Sequence, residues 1–421
     1  MDIIWNITRL CPWACDCCCV DAIQVRRQGE QIRLWSSGNG ETALPYLTEN
    51  STVFEQAVKQ IQSLRSELTL DEKLQVLENV RPFAPKIDFS GGDPLIVSEN
   101  LEVIKRAASD FGRAKVTLTA TGAGFPSYKV ADVAPHIGEL NFTYDSPDFR
   151  GNANRQPGYA SGNLHKASEF VQAGVQVRAE CPMSVFNVSP ELIREMFTRL
   201  HEQGIQKFLL MRLFPSGRGG LAPDCIPSPE QYRTAIKIAR EMEAKLSYPK
   251  VLLQCALKLF DRTEGGANPC NLLRESFGLM WDGTLLFSPW AIGPDGRPMD
   301  DTWVVGNLAT TPMETLLRTP KVTQLRARLN ENFGECKIFS YIHSRKVDPF
   351  ERMLDHADPL FHVVNRSDAR SSLSGGNCHS VPLSTCTCLD NKESEIQDSC
   401  VLVESVPTSK GRQQGIVLEG R

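Results

Sequence analysis

Residues 3–18 read IIWNITRLCPWACDCC, a short apolar run followed at once by Cys11, Cys15 and Cys18 in the spacing C-x3-C-x2-C. Ile3, Ile4, Trp5 and Ile7 predict a strand, so the cysteines fall on the tight loop that leaves it. Three thiolates on one loop can hold three corners of a cubane iron–sulfur cluster and leave the fourth iron without a protein ligand. An open iron can bind a small molecule, which suits catalysis better than electron storage. Two other chemistries use closely spaced cysteines. A structural zinc site asks for four ligands, usually in two pairs, and the nearest histidine, His136, is far along the chain. A disulfide framework asks for an oxidising compartment, and MDIIWNITRL has no basic n-region and no long apolar core. The spacing C-x3-C-x3-C also leaves Cys19 open as the third ligand in place of Cys18.

A second stretch, Ile87-Asp88-Phe89-Ser90-Gly91-Gly92-Asp93-Pro94-Leu95, alternates apolar and polar residues and then breaks at a Gly-Gly pair. The alternation predicts a strand, and the glycines let the backbone turn sharply and approach a ligand. Exposed carbonyls and the Asp93 carboxylate are then candidate acceptors for a ligand ammonium. An ordinary turn into the helix expected over 99–111 would use the same residues.

Together the two motifs resemble those of the radical S-adenosylmethionine (SAM) superfamily. Cys11, Cys15 and Cys18 stand for its cluster loop, and Gly91-Gly92-Asp93-Pro94 for its GGEP-like motif. Two positions depart from the pattern: Cys17 stands where an aromatic residue often precedes the third cysteine, and Asp93 stands for glutamate. Residues 20–85 also lengthen the gap between the motifs. The resemblance implies a partial (β/α)6 TIM-like barrel, a 4Fe–4S cluster, SAM, and a one-electron donor such as flavodoxin or ferredoxin. It implies reductive cleavage of SAM to a 5′-deoxyadenosyl radical that abstracts hydrogen from a substrate, and hence an oxygen-sensitive enzyme.

The rest of the chain fits an α/β reading. Strands are expected at 3–10, 86–90, 115–121, 139–144, 176–182 and 207–213. Amphipathic helices lie between them, two opened by the capping boxes Thr52-x-x-Glu55 and Thr69-x-x-Glu72, others by Ser189-Pro190, Ser228-Pro229 and Thr311-Pro312. Strand–helix alternation implies a parallel sheet with right-handed crossovers, and ligands at the carboxyl ends of its strands. At those ends Thr119, Thr121, Tyr144, Asp145, Glu180 and Asn187 are candidates. Arg212, in an apolar strand, needs a partner when buried. The resemblance offers the SAM carboxylate through the Arg-x-x-Pro-x-Gly-Arg pattern, and a core carboxylate would serve equally.

The barrel is expected over 1–248, with residues 24–50 as a loop around Gly38-Asn39-Gly40. Residues 249–345 form a second module, with a hairpin over Phe277–Phe287 and a helix from Pro312 to about Asn330. Its order resembles the SPASM or twitch extension that carries auxiliary clusters. Cys270 and Gly283 match that pattern, but Ser288 stands for its next cysteine, and Cys336 is followed by Lys-Ile-Phe-Ser-Tyr-Ile-His-Ser-Arg where that extension would have further cysteines. A degenerate, metal-free cap is therefore expected, with Cys255, Cys270 and Cys336 as buried thiols and an auxiliary site on Cys270 and Cys336 as the alternative. Residues 365–421 lack aromatic residues and are expected to be a disordered tail, with Cys378, Cys386, Cys388 and Cys400 on it.

A net charge of −4 gives no reason to expect nucleic acid or membrane as partner, and no apolar run reaches the length of a membrane span. Fourteen cysteines without an export signal fit a reducing cytoplasm. For the substrate, a ribosomal peptide in maturation competes with a sugar, nucleoside or other small metabolite. A non-enzymatic zinc or electron-transfer protein is the reading of a different class.

Overall fold

In the computed structural model, Asp2–Thr8 (β1) pairs in parallel with two strands far along the chain, and this pairing sets the architecture. The structure describes residues 1–47, 51–147, 159–261, 268–270, 272–273 and 276–361, all within one compact unit, Met1–Leu373. The tail cysteines Cys378, Cys386, Cys388 and Cys400 lie outside the described residues.

After β1 come Leu10–Cys11 (β2), Ile23–Gln28 (β3), Gln31–Ser36 (β4) and Gly40–Pro45 (β5), which form a separate four-stranded sheet. The strands Lys86–Gly91 (β6), Val116–Ala120 (β7), Glu139–Thr143 (β8), Gln176–Met183 (β9), Lys207–Arg212 (β10) and Lys250–Leu253 (β11) continue the main sheet. Ser276–Leu279 (β12), Thr284–Leu286 (β13) and Val304–Asn307 (β14) complete it, in the order β11-β10-β9-β8-β7-β6-β1-β12-β13-β14. All pairs from β11 to β12 are parallel, and the β12–β13–β14 edge is antiparallel. This large parallel sheet matches a partial TIM-like barrel. The six expected strands are all present. Within residues 249–345, β11 pairs with β10 and β12 with β1, so both extend the barrel sheet.

Helices α1 (Val53–Ser63), α2 (Leu70–Val80), α3 (Ser98–Phe111), α4 (Val130–Val133), α5 (Tyr159–Gln172), α6 (Pro190–Glu202) and α7 (Pro229–Leu246) follow the strands. The capping boxes at Thr52 and Thr69 form as expected, and Ser189 and Ser228 cap helices that open on proline. One sheet face carries Trp5, Phe89, Leu118, Phe142, Ala179 and Phe208, all buried in the main core. The opposite face carries Asp88, Thr119, Asn141, Arg178 and Glu180, a polar lumen wall that follows from the period of two. At the top of β1, buried Lys73 joins Glu67, Glu99 and Asn100 at 3.3, 2.8 and 2.9 Å, while Glu67 accepts from Thr8 Oγ1 and the Arg9 amide. This network fixes the strand end from which the cysteines depart.

Two expectations are corrected. Residues 24–50 include the antiparallel strands β3–β5, not a loop alone. Ile23, Val25, Ile32 and Leu34 alternate with polar residues and pack against Ala57, Val58 and Ile61 of α1. The glycines at 38–40 mark only the hairpin bend. The long helix after Pro312 is interrupted, as α8 (Met313–Leu317) and α9 (Pro320–Arg328), because Pro320 lacks the amide to continue it.

The chain then forms α10 (Lys337–His343) and α11 (Pro349–Met353) and returns to the barrel. There Asp358 meets Arg212 in a fork of two 2.8 Å bonds and accepts amides from Cys336 and Leu360 at 3.0 Å. Both side chains are buried, and the guanidinium lies 3.3 Å from the Phe339 ring centre. Asp358→Asn removes one charge of this clasp and is expected to cost about 2 kcal/mol, the range of a hydrogen bond to a charged group. A denaturation midpoint equal to that of the parent would show that the clasp is dispensable.

Candidate functional site

The end of β2 and the loop that follows it bring five thiols to one cavity. Cys11 and Cys15 are buried, and Cys17, Cys18 and Cys19 are half-buried. All five line a cavity of about 160 Å³ at the carboxyl ends of the parallel strands. Burial, and then the neighbouring Cys15, push the Cys11 thiol well above the usual range. Such a thiol ionises when a cation takes the proton's place, which is the chemistry of a metal ligand. Among the described residues, no three His, Cys, Asp or Glu side chains converge on a single metal position. A cubane asks for another arrangement, in which each thiolate meets its own iron.

The loop is held from behind by Asp21 and Arg9, which the sequence did not single out, and by the last arginine of the Arg-x-x-Pro-x-Gly-Arg pattern. Asp21 is fully buried and pairs with Arg9 at 2.6 Å and Arg218 at 3.2 Å. Arg218 also donates to the carbonyls of Cys15 and Ala22 at 2.8 and 2.7 Å. Ser216 Oγ donates to the Cys19 carbonyl at 3.0 Å. Gly217 has φ +52°, and a Cβ there would lie 2.5 Å from the Cys19 carbonyl carbon, so the approach requires glycine. The Pro-x-Gly-Arg part of the pattern is thus a clamp on the cysteine loop. Its arginine was visible as a motif, but its partner Asp21 left no local signal.

The Gly-Gly turn is joined to the same loop through the backbone. The Gly92 amide donates to the Thr8 carbonyl at 2.8 Å and the Asp93 amide to the Leu10 carbonyl at 2.9 Å. Gly91 and Gly92 line the cavity; Asp93 and Pro94 do not. The Asp93 carboxylate lies behind that surface, fully buried. It accepts from Leu95, Ala123 and Gly124 amides at 2.9, 3.0 and 3.4 Å and from Thr121 Oγ1 at 2.6 Å. Its bonds shape the β6 and β7 exits, so the idea that Asp93 itself faces a ligand ammonium gives way to an indirect role. Thr121 does line the cavity and accepts from Trp13 Nε1 at 3.2 Å, which ties the cysteine loop to β7.

The other candidates separate. Thr119 and Glu180 line the cavity, as does Arg212. Both terminal nitrogens of Arg212 are engaged by Asp358, the core-carboxylate alternative, while its Nε has no hydrogen-bond partner among the described residues. Tyr144 and Asp145 are buried and line none of the described cavities. Asn187 folds back on Ser184 and Pro182 within a turn. Behind Arg212, Cys255 and Cys336 are buried enough for their thiols to be pushed up, each within electrostatic reach of Cys270.

The lumen wall below the cavity is charged. Arg178 bonds Glu180 at 2.9 Å, and Asp88 accepts from Thr119 at 2.7 Å. Burial, then the Glu180 charge, push the Asp88 carboxyl up to about 7 against the opposing pull of Arg178. An unfolded aspartate titrates near about 3.9. Between those values the folded chain holds a proton that the unfolded chain has lost, so stability falls as pH rises through that window. Asp88→Asn is expected to be more stable than the parent at about pH 8 and to show no gain near pH 4. Urea denaturation across this range checks it, and a difference independent of pH would contradict the assignment.

No protein-family model and no curated protein matches the sequence. Solved structures do match the fold. SuiB of Streptococcus suis bound to S-adenosylmethionine aligns with TM-score 0.54 and 12% identity, over 78% of this chain and 68% of SuiB. SuiB bound to its precursor peptide SuiA gives 0.51 and 12%, over 77% and 66%. The chain therefore spans about two thirds of the length of SuiB. The anSMEcpe protein with bound AdoMet gives 0.52 and 13%, over 89% of this chain and 97% of that one. SuiB and anSMEcpe are radical SAM enzymes, and at these identities the likeness establishes a shared fold.

Proposed function

We propose that this chain, which has the fold of radical SAM enzymes, is one of them, cleaving SAM reductively and removing hydrogen from a peptide. The observation that carries the reading is the meeting of the cysteine loop and the Gly-Gly turn on one cavity at the strand ends. Cys11, Cys15 and Cys18 would hold a 4Fe–4S cluster, and two buried thiols and one half-buried thiol lining one cavity suit it. When bound, the cluster supplies the single electron that splits SAM into methionine and a 5′-deoxyadenosyl radical.

The chain's own residues position and shield the reactants. The backbone carbonyls of the turn at Gly91 and Gly92 receive the methionyl ammonium, with Thr121 Oγ1 beside them. Arg212 keeps one donor, Nε, for the methionyl carboxylate. Trp13, Phe214 and Trp290 line the cavity and keep water from the reactive carbon. A small flavodoxin or ferredoxin would deliver the electron. SuiB with SuiA and anSMEcpe with the Cp18Cys peptide favour a peptide as substrate. The cap is read without an auxiliary cluster.

Anaerobic reconstitution with iron and sulfide, followed by dithionite and SAM, tests the reading. About four irons per chain and formation of 5′-deoxyadenosine are expected. A colourless protein with one zinc, or iron loading without that nucleoside, would overturn it. Cys270→Ala is expected to leave the iron content unchanged, and loss of about half of it would restore the auxiliary cluster.

A further inference from the structure

Thr143 closes β8, and Glu180 is its register partner on β9, so the two side chains stand side by side on the lumen face of the sheet. Both line the cysteine-lined cavity. Glu180 Oε1 accepts from Arg178 at 2.9 Å. Glu180 Oε2 and Thr143 Oγ1 bond to nothing among the described residues. Neither belongs to the fully enclosed polar atoms, in contrast to Thr117 Oγ1, and both keep surface open to the cavity.

Arg178, the partner of Glu180, also lies 3.7 Å from Glu139. The Asp88 and Glu139 charges repel Glu180, and the Cys19 thiol is within its electrostatic reach. Lys86 and Lys207 pair with Glu139 at 3.4 and 3.1 Å, at the starts of β6 and β10. Asp2 and Lys258, which line a second cavity in the lumen, add one charge of each sign. Arg212, the other cation on the cysteine-lined cavity, is held in the fork of Asp358. Cations and carboxylates of the wall thus match in number, but two of the cations sit at the strand starts. The part of the wall toward the cavity has two carboxylates, Asp88 and Glu180, to one guanidinium.

A cation from outside answers this arrangement, and its kind follows from the oxygens left. A guanidinium binds a carboxylate best through both oxygens, and Arg178 already holds one of them. An ammonium is a compact charge that can use a single oxygen and donates in three directions. Glu180 Oε2 and the Thr143 hydroxyl accept two of those bonds. Trp13, Phe214 and Trp290 line the same cavity, and aromatic faces attract a cation. The SAM ammonium is assigned above to the turn after β6, three strands away in the order β9-β8-β7-β6.

We propose that Glu180 and Thr143 form a subsite for a primary ammonium of the substrate, carried by a lysine side chain or by the peptide's N-terminus. The ammonium anchors the peptide at the ends of β8 and β9 and leaves a neighbouring carbon facing the cysteine loop. The inference rests on the peptide reading above and narrows it to a peptide that brings a positive charge into the cavity.

The test titrates capped residues into the anaerobically reconstituted, SAM-loaded protein at about pH 7, where an ammonium is charged. N-acetyllysine N-methylamide carries the side-chain ammonium, norleucine N-methylamide the α-ammonium, and N-acetylnorleucine N-methylamide neither. One of the two ammonium probes is expected to bind at least about tenfold more tightly than the neutral one, and the tighter of the two names the source. N-acetylarginine N-methylamide is expected to bind more weakly than that probe. Glu180→Gln, which keeps an oxygen for Arg178, is expected to abolish the preference. Thr143→Val is expected to weaken the ammonium probe by about threefold to tenfold. Binding of the neutral probe and thermal unfolding check that both variants fold. Equal binding of all probes by the parent, a preference that survives Glu180→Gln, or tighter binding of the arginine probe would overturn the proposal. So would a loss of SAM affinity in Glu180→Gln as large as the loss for the ammonium probe. A parent that forms 5′-deoxyadenosine without preferring an ammonium removes this subsite alone. A parent that prefers an ammonium through Glu180 but forms no 5′-deoxyadenosine keeps the subsite and removes the functional reading.

Discussion

Cys18→Ala is expected to abolish retention of a 4Fe–4S cluster and to lower 5′-deoxyadenosine formation by more than about 100-fold, beyond the loss seen when only outer-shell support of a metal is removed. Cys19→Ala is expected to keep both. The pair is informative because the spacing alone admits either cysteine, and both line the same cavity. Cys18 is the better placed. Its Sγ accepts the Ala22 amide at 3.3 Å, and its own amide donates to the Cys15 carbonyl at 3.2 Å, so its position in the loop is fixed. Amide donation to sulfur stabilises a thiolate. The Cys19 thiol is pushed up, first by burial and then by Cys18 and Cys17, and Ser216 holds its carbonyl, not its sulfur. Iron and sulfide content with the reduced-state electron paramagnetic resonance spectrum checks the assignment. Loss of the cluster in Cys19→Ala with retention in Cys18→Ala would move the third ligand by one residue.

Gly92→Ala is the second large effect. A Cβ at this position would lie 1.9 Å from the Leu10 carbonyl oxygen and 2.6 Å from its carbon. Both atoms are backbone, and Leu10 immediately precedes Cys11, the first of the proposed cluster ligands. No rotamer change relieves such a contact, so the turn or the loop must shift. We expect a loss of at least about 3 kcal/mol, the upper end of overpacking, together with loss of SAM binding. Gly162→Ala serves as the control. A Cβ there meets nothing within 4 Å, at the fourth residue of α5. This change is expected to raise stability by about 0.5–1 kcal/mol through helix propensity. Thermal unfolding and SAM titration separate the two. An unaltered affinity in Gly92→Ala would show that the turn does not need its close approach to Leu10.

What could be read in the chain was what has a local period. Ile3, Trp5 and Ile7, or Val177 and Ala179, alternate because one sheet face is buried, and helices between them announce themselves through Thr52 or Ser228 caps. From these the parallel order followed. The inserted sheet was missed because Gly38-Asn39-Gly40 carried the stronger local signal. Site chemistry was legible where it lies in one run, as in the cysteine loop and the Gly-Gly turn. It was not legible where the partner is remote. Arg212 finds Asp358 across 146 residues, and nothing near Asp358 marks it. Asp93 looked like a ligand group because its type and place suited one. The fold instead turns its carboxylate toward Thr121 and the Ala123 and Gly124 amides, a choice made by the β7 exit rather than by the motif.

The clamp on the cysteine loop has a consequence for biosynthesis. Cys15 and the arginine that grips its carbonyl are 203 residues apart. A ribosome therefore releases these thiols into the cell long before it has made the guanidinium that secures them. The loop therefore lacks this clamp until Arg218, six residues past the end of β10, has been made. Assembly of the proposed metal centre would in this way follow late on the making of the loop that holds it.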